Sequence, residues 1–245
     1  MPLPSLSRTL VVMPAFNEAD SVADVVREVV EAVPQAHVLV VDDGSRDDTT
    51  ELARAAGASV ARLPFNLGVG GAMRTGFRYA VSKGFDAVVQ VDADGQHDPA
   101  EIATLVDGLA AADLVLGARF AGVGDYRTSG PRRWAMVVLS RVLSRLTRTR
   151  LTDTTSGFRA SGPRAIRLFA EHYPAEYLGD TIETLVIASR SGLTISQVPV
   201  HMRVRSGGVP SHRPVKSAIY LARAGLALIF ALTRPRSSHA SEGVR

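Results

Sequence analysis

Cysteine does not occur in this chain, which excludes disulfides, thiolate metal sites and thiol nucleophiles and leaves oxygen and imidazole as the available metal donors. The P-loop sequence Gly-Lys-Ser/Thr is missing. The dinucleotide fingerprint that Gly68 and Gly70 begin fails at Met73, where it requires a third glycine. NTPase and oxidoreductase readings therefore lose their motif, and glycines 68, 70 and 71 are expected to let a helix start pack closely on a sheet. There is no zinc-finger spacing, basic zipper or aromatic-glycine strand of the RNA-reading type, so nucleic acid is not an expected partner. The first residues lack the basic, apolar and small succession of a secretory signal, and the expected location is the cytoplasm.

Acidic residues are missing over one stretch. None lies between Tyr126 and Thr152, where Arg127, Arg132, Arg133, Arg141, Arg145, Arg148 and Arg150 occur. Residues 1–125 carry 9 basic and 18 acidic side chains, residues 126–245 carry 19 and 6, and the net +4 hides this division. A basic half serves nucleic acid, an anionic membrane surface or a phosphorylated substrate. Arg141, Arg145 and Arg148 share one helical face, with Val137, Val138, Val142, Leu143 and Leu146 supplying an apolar side, so a helix at 132–150 either lies on lipid or packs on the core with a solvated basic face. Ala218 to Leu232 is apolar except for Arg223 and is bracketed by Arg213, Lys216, Arg234 and Arg236. As a helix it reaches roughly 22 Å at ~1.5 Å per residue, short of a ~30 Å hydrocarbon core. Such a helix is expected to hide its surface in the plane of a membrane, against a membrane-embedded partner protein or against a second copy.

What the chain does contain is strand-length apolar runs, at 8–13, 37–42, 58–62, 85–91 and 113–117. They alternate with helical patterns at about 20–33, 46–57, 70–83 and 99–110. This predicts an α/β fold with a mainly parallel sheet covered by helices on both faces. Asp47 and Asp48 favour the start of the second helix, and Pro99 the first turn of the fourth. Regularity ends near Gly117, after which helices are expected at 132–150 and Thr181–Ser189. Three strands run into polar turns: Pro14-Ala15-Phe16-Asn17-Glu18, Asp42-Asp43-Gly44-Ser45, and Asp92-Ala93-Asp94-Gly95-Gln96-His97. Turns after parallel strands share the edge where open α/β sheets bind ligands. Two carboxylates one residue apart, Asp92 and Asp94, suit a hard divalent cation held against a diphosphate.

These three blocks, with Asn66-Leu67-Gly68, Gly117-Ala118-Arg119 and Thr155-Ser156-Gly157-Phe158-Arg159, occur in an order that resembles the family 2 glycosyltransferases. The closest likeness is to their polyprenyl-phosphate branch, which includes dolichol-phosphate mannosyltransferase, over about residues 8–212. The resemblance implies an A-type glycosyltransferase fold, here a catalytic domain at 1–212, followed by the apolar helix at 213–236 and a disordered tail at 237–245. It implies that Pro14, Phe16, Glu18 and Asp43 frame the nucleoside of a nucleotide-diphosphate sugar, with Asp92 and Ala93 along the ribose and diphosphate. Mg²⁺ or Mn²⁺ is then implied on Asp92, Asp94 and Gln96, and Asp94 takes part in catalysis. Arg119 is implied at the acceptor phosphate, Glu183 on the acceptor side, and Arg205 on a loop that closes over the donor. Many relatives continue that loop with serine and lysine, whereas this chain has Pro210, Ser211 and His212. The implied reaction is inverting hexose transfer to a polyprenyl phosphate at the cytoplasmic face of the membrane, the protein being peripheral there. Two other readings stay open: a soluble glycosyltransferase with a hydroxyl acceptor and Asp153, Asp180 or Glu183 as base, and a non-catalytic nucleotide-sugar-binding protein.

Overall fold

The computed structural model describes residues 4–119, 131–174 and 180–203, with the backbone alone at 119, 131–138 and 180. Arg205, His212 and the apolar stretch from Ala218 lie outside the described residues. The elements are β1 Thr9–Ala15, α1 Val22–Ala32, β2 His37–Asp42, α2 Thr49–Ala55, β3 Ser59–Arg62, α3 Gly68–Lys83, β4 Ala87–Gln90, α4 Ile102–Gly108, β5 Leu114–Arg119, α5 Pro131–Thr147, β6 Arg159–Ser161, α6 Pro163–His172, α7 Asp180–Arg190 and β7 Ile195–Val200. The strands form one seven-stranded sheet in the order β3-β2-β1-β4-β6-β5-β7. All pairings are parallel except those of β6, which runs antiparallel to both β4 and β5.

The runs Leu10–Met13, Val38–Val41, Ala87–Val89 and Leu114–Leu116 are apolar throughout because both faces of the sheet are covered there. Leu10, Val12, Leu39, Val41, Val88, Leu114 and Leu116 point to the layer built from α3, α5, α6 and α7. The alternating set, Val11, Met13, Val38, Val40, Val89 and Val115, points to α1, α2 and α4. Helix α1 buries Val22, Val25, Val26 and Val29, one stripe at helical spacing. Each such side chain contributes roughly 1.5–3 kcal/mol when withdrawn from water. In α5, Leu139 and Leu143 are buried in the core while Arg141 and Arg145, and Arg148 and Arg150 just after the helix, are exposed. Leu139 and Leu143 thus turn this helix to the core, and Arg141 and Arg145 face outward.

Structure also continues beyond Gly117, where the sequence pattern fades. Strand β6 has three residues, two of them polar, and β7 is an edge strand interrupted by Pro199, so neither shows a run or an alternation. Helix α6 buries Ala165, Ile166, Phe169 and Ala170.

Pro14 explains where the sheet opens. Val91 donates to the Val12 carbonyl and Asp43 to the Ala15 carbonyl, so the backbone groups of residues 12 and 14 face β4 and those of 13 and 15 face β2. The pairing of β1 with β4 ends at Val12 and Gln90. Pro14 faces β4 but lacks an N–H, so the next ladder bond from β1 to that side cannot form. The two strands part there, at the point where the chain order across the sheet reverses, which is the crevice expected of such folds.

Candidate active site

On the β1 and β2 side of this crevice, two consecutive turns are tied to each other. Asn17, at φ 54, donates its N–H to Ser45 Oγ (2.9 Å) and accepts the Arg46 N–H on Oδ1 (2.9 Å). Glu18 N–H donates to Thr49 Oγ1 (2.9 Å), and Ala19 N–H to Asp47 Oδ2 (3.2 Å). Asp42 is fully buried. It accepts the Ser45 N–H (2.8 Å) and the Thr50 hydroxyl, with Arg62 at 3.7 Å. Burial pushes its carboxyl up, but the bonds from Ser45 and Thr50 and the charge of Arg62 outweigh burial and hold it below the ordinary carboxylate range. Asp43 is also buried and accepts the N–H groups of Leu67 (2.7 Å) and Gly68 (2.8 Å) at the start of α3. Burial is the stronger influence there and raises its carboxyl above the ordinary value, against those two bonds. This contact needs Gly44, at φ +77, since a Cβ there would stand 2.8 Å from the Phe65 carbonyl carbon. Gly68, at φ 82, opens α3 with its N–H on the Asp43 carboxylate. Pro14 and Glu18 are half-buried and Phe16 is 39% exposed at the rim.

The β4 side is assembled differently. Asp92 is half-buried: its Oδ1 accepts from Gln90 Nε2 (3.2 Å) and its N–H donates to His97 Nδ1 (3.0 Å). Because Nδ1 accepts, the neutral ring carries its hydrogen on Nε2, which lies 3.6 Å from Asp92 Oδ2. His97 is buried and stacks on Phe158 with ring centroids 4.7 Å apart. Asp94 and Gln96 are half-buried, and Asp94 Oδ1 accepts the Gln96 N–H (3.0 Å), which closes the turn. Ala93 is buried. From the far end of the described chain, the Arg203 N–H donates to the Gln96 carbonyl (2.9 Å), and Met202 bridges His97. The Arg203 guanidinium joins Asp98 Oδ1 (2.9 Å) to Glu28.

Antiparallel β6 brings the third part. A strand reversed between parallel neighbours starts where they end, so Thr155 to Phe158 arrive beside Asp92. A Cβ on Gly157 would stand 3.1 Å from both Asp92 Oδ2 and Gln90 Nε2, and no other residue fits there without displacing the carboxylate. Arg159, buried, donates to the Ser156 carbonyl (2.8 Å) and to Thr184 Oγ1 (2.7 Å), tying α7 and its half-buried Glu183 to this edge. Asp153 accepts the N–H and hydroxyl of Thr155 and caps its own turn. The backbone of Arg119 pairs with Val200. The side chains of Arg119 and Asp180 lie outside the description.

Pro14, Phe16, Glu18, Asp43, Asp92, Ala93, Asp94 and Gln96 therefore share one edge, as the strand pattern required. Among the described residues no three of His, Cys, Asp and Glu gather to hold an ion. Asp92, Asp94 and the neutral amide of Gln96 form an oxygen set on one half-exposed turn. That set fits a hard cation whose remaining ligands come from substrate oxygens and water. Sequence reasoning assigned no role to Asn17, Gln90, His97, Gly157 or Arg203. The first four lie inside or beside the motifs, where proximity was the available signal, whereas Arg203 acts on partners 105 and 175 residues away.

The sequence model of glycosyl transferase family 2 matches residues 10–172. Undecaprenyl-phosphate mannosyltransferase of Micrococcus luteus is 32% identical over 203 residues, covering 79% of this chain and 82% of that protein. Polyprenol monophosphomannose synthase of Mycolicibacterium smegmatis is 32% identical over 214 residues, covering 82% of this chain and 80% of the other. Among solved structures, glucosyl-3-phosphoglycerate synthase from Mycobacterium tuberculosis, in complex with Mn²⁺, uridine diphosphate and glucosyl-3-phosphoglycerate, superposes with a TM-score of 0.71 at 24% identity. That match covers 94% of this chain and 81% of the neighbour.

Proposed function

This chain belongs to glycosyl transferase family 2 and is a glycosyltransferase, and from that premise we propose that it transfers a hexose from a nucleotide-diphosphate sugar to a polyprenyl phosphate at a membrane surface. The observation that carries the reading is the turn Asp92 to Gln96: two half-exposed carboxylates and an amide at the mouth of the crevice, beside the Gly157 backbone. The two relatives named for polyprenyl or undecaprenyl phosphate supply the acceptor class.

Asp92, Asp94 and Gln96 would hold Mg²⁺ or Mn²⁺, which when bound neutralises charge on the departing diphosphate. Gln90 and His97 hold Asp92 in place for that task. Pro14, Phe16, Glu18 and Asp43 frame the nucleoside. An oxygen of the acceptor phosphate bonds to the anomeric carbon as the bond from that carbon to the diphosphate breaks, and a single displacement inverts the configuration. A phosphate whose second pKa is near ~6 is ionised at neutral pH, so no side chain has to remove a proton. Arg119 and Arg205 orient and screen it, with Glu183 on the acceptor side.

Among the described residues no helix is long and apolar enough to cross a membrane. The exposed arginines of α5 and the stretch at 213–236 are the surfaces assigned to an anionic bilayer on the cytoplasmic side. The deciding experiment incubates the protein with polyprenyl phosphate, Mg²⁺ and a panel of sugar nucleotides and extracts the product. A chloroform-soluble labelled sugar is expected. Transfer to soluble sugars alone, or nucleotide binding with no transfer to either acceptor, overturns the assignment.

A further inference from the structure

Arg159 is 3% exposed, and among the described residues it takes part in no ion pair. Its guanidinium donates to two neutral oxygens, the Ser156 carbonyl (2.8 Å) and Thr184 Oγ1 (2.7 Å), while its Nε is buried with no partner. A cation withdrawn from water without a counter-charge is costly to the fold. Such a group is expected where an anion arrives later. The surroundings name the place. Arg159 is the register partner of Gln90 across β4 and β6, and Gln90 holds Asp92 Oδ1. Two residues before Arg159, Gly157 lies against the same carboxylate. The backbone register and the Gly157 contact therefore set Arg159, buried, beside the strand end that carries Asp92 and Asp94.

Two carboxylates and a diphosphate outweigh one divalent cation, and the surplus of negative charge grows as the sugar leaves. A fixed positive charge in a dry layer offsets that surplus without having to reorient, and acts more strongly there than it would in water. We propose that Arg159 is a positioning residue whose buried charge is balanced by the diphosphate of the bound donor, acting across the Gln90–Asp92–Gly157 contact rather than by touching substrate. The inference rests on the donor reading above and deepens it by naming the charge that the protein supplies.

The test uses the full-length protein and inorganic pyrophosphate with Mn²⁺, followed by calorimetric titration and thermal melting. In the wild type, pyrophosphate with Mn²⁺ raises the melting temperature. R159Q is expected to lose about tenfold or more in pyrophosphate affinity and most of that rise, because the charge is gone. R159K keeps the charge without the fork and is expected to stay within about threefold. T184V removes the acceptor on α7 but leaves the charge, and is expected to bind within about twofold of wild type. Wild-type affinity in folded R159Q overturns the proposal. So does a tenfold loss in R159K, which also decides the matter if R159Q does not fold, and so does an equal loss in T184V, which would assign Arg159 a purely structural part. Failure of the wild type to bind Mn²⁺ and pyrophosphate sinks the donor reading itself, and this inference with it.

Discussion

Two acidic turns end neighbouring regions of the sheet, Asp42-Asp43-Gly44-Ser45 after β2 and Asp92-Ala93-Asp94-Gly95 after β4, and the molecule uses them in opposite ways. Asp42 and Asp43 are buried, and their oxygens are taken by Ser45, Thr50, Leu67 and Gly68. They fasten one βα turn to the next. Asp92 and Asp94 are half-exposed, their carboxylates oriented by Gln90 and the Gln96 N–H, while Gly157 and Arg203 brace the turn from distant segments. The first turn is a buried frame, and the second is a mouth braced from outside. An acidic dipeptide next to glycine does not by itself announce a ligand site, since what separates the two turns is how deeply their carboxylates are buried.

The sharpest way to break this contrast is Asp94→Ala. On a half-exposed turn it is expected to lower metal-dependent transfer by about 100-fold or more while shifting stability by no more than about 0.5 kcal/mol. Undiminished transfer, or persistence of transfer in chelator, would erase the distinction. Asp42→Asn should do the reverse, costing about 2 kcal/mol because an amide offers N–H where Ser45, Thr50 and Arg62 require an acceptor. A denaturant titration reads this directly. The pH dependence carries a sign. The folded Asp42 carboxyl lies below its unfolded value, so its stabilisation is present above the unfolded carboxylate range and is lost as pH falls through the folded value. The stability gap between wild type and Asp42→Asn should therefore close on acidification, and a gap that widens contradicts the assignment. Asp43, raised by burial, runs the other way: its contribution is present at low pH and lost as pH rises through the folded value.

Gly157→Ala is a smaller intrusion. The added methyl pushes Asp92, so about a tenfold loss in transfer with a raised metal requirement is expected, and little change in melting. Smallest is Arg203→Ala. Its ion pairs are exposed and worth little to stability, but the guanidinium that fastens the Arg203 backbone, and through its N–H the Gln96 carbonyl, to Asp98 and Glu28 is lost, so an increase of about threefold in the metal concentration for half-maximal rate is expected. Rescue by Arg203→Lys would assign the effect to the charge on Asp98.

Much of this was legible before any coordinates. Runs such as Val38–Val41 and Ala87–Val89 are apolar throughout because they lie between two helical layers, and their polar ends had to meet on one edge. The order of strands across the sheet was not legible. Three residues with an arginine and a serine, Arg159–Ser161, carry no periodicity, and their insertion between β4 and β5 is a tertiary choice. The readiness of Asp92 and the confinement of Asp43 likewise depend on Gly157 and Leu67, which no local pattern connects to them. The side chain of Arg119, together with Arg205, stands outside the described residues, and the parts assigned to them remain proposals.

The reversed strand β6 also has a kinetic consequence. Strands β1 to β4 can zip together from consecutive βα units, but the β5–β7 pair has no link to them until residues 159–161 have been threaded into place, a closure of long sequence separation that comes late in folding. Amide protons of β1 and β2 should accordingly become protected from exchange before those of β5 during refolding. A nascent chain would thus hold the linked turns after β1 and β2 before Gly157 reaches the turn at Asp92.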